Sequence, residues 1–169
     1  ELNTAGQTPT NKSAGTICFK LADNSTVDQN NPIVTPVSGT AYTYEKWIRA
    51  YVVSGGYTAI DNLRFYMDGA NNFGSGVKLW AKPFVSFSTP AIPSTANDPP
   101  QRAGVAFVDA FTYTSVAPLA LDVLNAGHYN ATGLPKFIGD YLVLVMEVEP
   151  GVTGGLKPTE TIVIAWDES

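Results

Sequence analysis

The chain has 169 residues, a formal net charge of −5 and a sequence pI near 4.7. That length makes one domain able to bury about 70% of its unfolded surface without disulfide or metal. The acidic balance excludes broad nucleic-acid binding, which needs a basic face to displace counterions, and no apolar run approaches the roughly 18 residues of a membrane-crossing helix.

Taken in chain order, residues 1–13 carry no core pattern and read as an extended arm ahead of a domain spanning 14–169. No signal-peptide pattern is visible. The stretch GTICFKL (15–21) alternates around Ile17 and Phe19 and predicts a strand. Cys18, the single cysteine, reads as a small buried apolar side chain; a reactive thiol needs a nearby base or helix start. In YTYEKWIRAYVV (42–53) one face carries Trp47, Arg49, Tyr51 and Val53 and the other Ile48, Ala50 and Val52, the two-faced apolarity of a central strand. After a glycine turn, AIDNLRFYMD (59–68) puts Leu63, Phe65 and Met67 inward and Arg64 and Tyr66 outward. VKLWAK (77–82) places Val77, Leu79 and Ala81 on one side, with Lys78, Trp80 and Lys82 on a solvent side.

Residues 83–104 hold five prolines. Proline is barred from central strands, so this is an excursion from the sheet, of a length that usually serves function. Strands resume at 104–116, and PLALDVLNAGH fits a short helix or a strand equally. GDYLVLVMEVEP (139–150) and ETIVIAWDES (160–169) are the clearest strands. In the first, Leu142, Leu144, Met146 and Val148 face one way, while Val143 and Val145 make the second face apolar too. In the second, Ile162, Ile164 and Trp166 share a side. About eight strands with turn signals between them predict an all-β, antiparallel β-sandwich, jelly-roll-like or Ig-like.

Chemistry is sparse. His128, the one histidine, sits in a polar loop, and no GxSxG elbow supplies a nucleophile for it. One His and one Cys make a poor zinc set. Asp61, Asp68, Asp109, Asp122, Glu147 and Glu149 are the carboxylates available for a hydrolytic pair, with Glu147 and Glu149 read as a solvent-facing rim. The loops 22–31 and 68–72 are oxygen-rich but lack the calcium-loop spacing, and Asx turns explain their composition. Three tryptophans and eight tyrosines could build a sugar-stacking platform, with Trp80 its exposed member. Asn11, Asn24 and Asn130 begin N-x-[ST] triplets. Arg49 and Arg64 fit cross-strand ion pairs or subunit contacts, since arginine is enriched at interfaces. These residues call for no cofactor and no reaction.

Three motifs carry a resemblance: Glu45-Lys46-Trp47-Ile48-Arg49, then Ile60 with Asn62-Leu63-Arg64-Phe65, and a closing Trp166-Asp167-Glu168. In this order they resemble a class of small β-sandwich structural proteins of tailed bacteriophages. The resemblance implies a non-enzymatic capsid decoration protein, or a head or tail accessory. Its partners would be the major capsid protein and further copies of itself, a trimer favoured, at the capsid surface, with neither nucleic acid nor membrane bound. Arg49, Arg64, Trp80 and Arg102 are then the expected contact residues, together with Pro90, Pro93, Pro99 and Pro100 of an assembly loop at 83–104. The alternative is an extracellular carbohydrate- or cell-binding sandwich module.

Overall fold

The computed structural model describes residues 1–3, 8–125 and 127–169. Its strands are β1 (Ala41–Tyr42), β2 (Lys46–Val52), β3 (Ile60–Tyr66), β4 (Val77–Phe84), β5 (Gln101–Arg102), β6 (Val105–Ala106), β7 (Val108–Asp109), β8 (Leu119–Ala120), β9 (Lys136–Val148) and β10 (Val163–Glu168). Ala110–Thr112 add one 3₁₀ turn, entered through Asp109, whose side chain accepts the Phe111 N–H. The fold is an all-β, antiparallel sandwich.

Strand β9 is the axis of the larger sheet. It pairs with β4 on one side and with β2 and β1 in succession on the other, and β7 extends the sheet beyond β4. The second sheet runs β10-β3-β8, and β5-β6 form a small hairpin. Between the two main sheets, Ile48, Val77, Leu79, Leu142, Leu144 and Met146 meet Leu63, Phe65, Met67 and Leu121. Burying each such side chain contributes about 1.5–3 kcal/mol.

The larger sheet is also buried on its outer face. Trp47, Trp80, Val143 and Val145 lie there under Phe84, Phe87 and Phe107. The excursion expected from 83 begins two residues later, since Pro83 and Phe84 still pair with β9; from there it forms a third layer, a lid over the sheet from which it departs. This explains why β2 and β9 are apolar on both faces: each face has its own cover. Residues 1–3 run extended along the same side, with Leu2 bridged to Trp47 and buried in the second core. Part of the expected arm, residues 4–7, lies outside the described residues.

The two sheets meet closely at Gly139. Its φ is +66°, and a Cβ there would stand 2.2 Å from Leu63 Cδ2 and 2.5 Å from the Leu121 carbonyl oxygen. Only glycine fits both the conformation and the space. The β2–β9 register shifts at the same level, between Ile48 and Ala50.

Several expected elements differ. Residues 15–21 form no strand: Ile17 and Phe19 pack on the core, but the backbone bonds to single loop groups, with the Leu21 N–H on the Asn31 carbonyl and the Lys20 carbonyl accepting from Tyr44. Cys18 is half-buried, its thiol 3.4 Å from the Asp28 carbonyl. The strand expected over 104–116 breaks into β6, β7 and the 3₁₀ turn, because Phe107 turns under the lid while Phe111 turns into the main core. PLALDVLNAGH yields the short β8 and then turns, burying Leu121 but leaving Val123 and Leu124 exposed.

Candidate functional site

Arg102 closes a clamp between the excursion and the sheet. The Glu45 carboxylate, buried at the start of β2, accepts from Trp47 Nε1 at 3.1 Å and from the Ala91 N–H at 3.1 Å, and pairs with Arg102 Nη1. Arg102 also lies 5.0 Å from the Trp47 ring centroid and donates to the Thr89 carbonyl. The Ala91 carbonyl accepts the Glu45 N–H, and Asn97 accepts from the Tyr42 hydroxyl. Pro90, Pro93 and Pro100 are buried and Pro99 is half-buried. A carboxylate removed from water needs donors; here Trp47 supplies one from the sheet and Ala91 and Arg102 supply two from the lid, so Glu45 ties the third layer to the sheet.

Three lysines organise the loop 22–31. Lys46 Nζ donates to the Asn24 carbonyl, Lys12 Nζ to that of Ser25 and Lys20 Nζ to that of Thr26, at 2.8, 2.7 and 2.9 Å. Lys20 also pairs with Asp28, and Lys46 with Glu1. The Lys20 hydrogen bond, then the Asn30 N–H, hold the Asp28 carboxyl below its ordinary 3.8. Ammonium groups thus fill the oxygen-rich loop that composition alone offers to a calcium ion.

Trp80 is buried, not exposed, and Glu147 is no solvent rim. Glu147 is fully buried and accepts from Trp80 Nε1 at 2.7 Å and from Lys78, which also meets Glu149 at 2.6 Å. The Glu149 hydrogen bond, with the Glu147 charge behind it, holds Lys78 firmly protonated. The lid produces both reversals: the face that alternation assigns to solvent is an interior. Trp166, expected inside with Ile162 and Ile164, is 45% exposed, beside a register shift between Ala165 and Asp167 on β10.

Arg64 reaches across to β10. It bonds Asp167 Oδ1 at 2.9 Å, Asn62 Nδ2 bonds Oδ2 at 2.7 Å, and these two donors, Asn62 first, keep the Asp167 carboxyl below 3.8. With Asp122, Pro118 and Ala120 they line an open groove of about 340 Å³. Arg49 instead donates to the Gly139 carbonyl at 2.9 Å and to the Tyr141 hydroxyl at 3.2 Å. His128 is an exposed loop residue, 3.0 Å from Asp61.

The remaining carboxylates serve the backbone. Asp122 accepts the Leu63 N–H and Asp68 that of Ala70, while Asp109 caps the 3₁₀ turn. Buried Asp140, which the sequence does not single out, accepts from Leu124, Asn125 and the Asn125 amide. Glu45, Lys20 and Lys46 are likewise missed as structural centres; Glu45 and Arg102 lie 57 positions apart and no local pattern joins them. Among the described residues, no three His, Cys, Asp or Glu side chains are grouped to hold a metal. Comparison with protein-family models, curated proteins and solved structures returned no match.

Proposed function

We propose that the chain is a non-enzymatic structural protein of a virion, a decoration protein that docks on the capsid shell and stabilises it by protein–protein contacts. One observation carries this: the buried carboxylates Glu45 and Glu147, with their partners, hold the protein's own layers together. Glu45 and Arg102 clamp the lid, and Glu147 and Lys78 anchor Trp80 beneath it. What faces outward is mostly neutral, with apolar side chains such as Val37, Val116 and Leu156 largely exposed. The sequence resemblance at 45–49, 60–65 and 166–168 points the same way. The partner is then the major capsid protein, and a homotrimer at local threefold positions is the favoured assembly. Purified protein mixed with shells lacking it should co-sediment saturably, and the coated shells should resist heat better than bare ones. Protein left wholly in the supernatant would contradict the proposal.

A second reading, a carbohydrate-binding adhesion module, has one observation in its favour: the polar groove around Arg64, Asn62 and Asp167 lies beside strand β10, which also carries the exposed Trp166. A saccharide panel tests it, with Trp166→Ala as the control; Trp80, being buried, cannot serve.

A further inference from the structure

The lid covers only part of the larger sheet's outer face. Beyond it, at the end where β2 leaves the sheet and β9 enters, Tyr51 is 48% and Val53 66% exposed. Tyr51 packs against Phe137 with ring centroids 4.7 Å apart. Arg49, half-buried beside them, sits 4.6 Å from the centroid of Tyr141 and 5.9 Å from that of Phe137. Its hydrogen bonds go to the carbonyls of Ile138 and Gly139 and to the Tyr141 hydroxyl. Arg64 and Arg102 each have a carboxylate partner; Arg49 has none among the described residues.

A half-buried arginine over half-buried aromatics, beside an exposed tyrosine, has the composition of an interface hot spot. The Arg49 guanidinium is held by three hydrogen bonds, and no carboxylate among the described residues forms an ion pair with it, in a chain of net charge −5. A two-fold contact of this patch with itself would set Arg49 against Arg49, a like-charge juxtaposition that costs binding.

We propose that this end of the sheet, with Arg49, Tyr51, Val53 and Phe137 at the margin of the lid, is the surface that meets the shell protein, and that it takes a segment presenting a carboxylate among apolar side chains. The inference rests on the decoration reading and names its contact. Apolar neighbours of the carboxylate cover Tyr51 and Val53, and the carboxylate reaches the Arg49 guanidinium.

The test contrasts Tyr51→Glu with Tyr51→Lys in binding to bare shells. Both lose the same aromatic contact and differ in the sign placed beside Arg49. Tyr51→Glu is expected to bind about tenfold or more weakly than Tyr51→Lys, with the gap closing at high salt. Arg49→Gln should remove the salt dependence while thermal melting reports that the variant is folded. Equal binding by the two Tyr51 variants would overturn the assignment. So would a changed oligomeric state in Tyr51→Glu, since the patch would then be a contact between copies. Wild-type protein that binds no shells would overturn the decoration reading and this surface with it; sign-independent binding by folded variants would overturn the surface alone.

Discussion

Glu45 shows how a single carboxylate decides what a surface is for. With donors from Trp47, Ala91 and Arg102 it is a buried hinge between sheet and lid. Glu45→Ala should lower unfolding stability by about 3 kcal/mol in urea titrations, because Arg102 is left without its counter-charge. Glu45→Gln retains an acceptor for the Trp47 and Ala91 donors and should lose less. At Gly139, alanine meets Leu63, the Leu121 carbonyl and a φ of +66° together, and Gly139→Ala should cost at least about 2 kcal/mol by the same measurement. Asp28 and Asp167 give the residue-level pH dependence. Hydrogen bonds from Lys20 to the first, and from Asn62 and then Arg64 to the second, lower both carboxyls in the folded state. A lowered folded pKa contributes stability that is present above the ordinary 3.8 and is lost as pH falls through the lowered value. Acid titration of Asp28→Asn/Asp167→Asn should therefore show a shallower loss of stability below that pH than wild type.

The strands were the most legible elements. Period-two alternation locates β2, β3, β4, β9 and β10 to within a few residues, and it correctly assigns both faces of β9 as apolar. What covers the second face was hidden. The prolines mark 83–104 as leaving the sheet, although Pro83 itself still pairs with β9, and the rule is silent on whether the rest of the segment packs flat against the sheet. The two tryptophan reversals follow from this and from strand irregularity. Trp80 alternates with lysines and looks exposed until a lid is placed over it, whereas the register shift near the end of the edge strand β10 frees Trp166 from the line set by Ile162 and Ile164. Lys20 and Lys46 were illegible for a different reason. Lysine is rarely buried without partners, and theirs are loop carbonyls together with the distant carboxylates of Asp28 and Glu1, which only the fold brings close. At this scale the lid is testable: replacing 86–99 with a short Gly-Ser linker should uncover Trp47, Val143 and Val145, shifting tryptophan emission to the red and raising binding of an apolar dye. Unchanged spectra would mean that the outer face needs no cover.

At the scale of the whole molecule, a three-layer domain whose buried carboxylates tie its layers together suits a task of shape. The lid and the arm-like residues 1–3 are engaged with their own sheet, which leaves for a neighbour the lid's outer side, the second sheet around Arg64 and Trp166, and the end of the larger sheet around Arg49 and Tyr51. Many such modest contacts, repeated around a shell, add to strong retention through avidity. The most direct measurement is electron cryo-microscopy of bare shells incubated with saturating protein. Docking as the protein's task predicts extra density at one class of symmetry-related positions, in a fixed copy number per shell, with the β2–β9 end of the sandwich against the surface. Shells indistinguishable from untreated ones, beside protein that stays free, would contradict it.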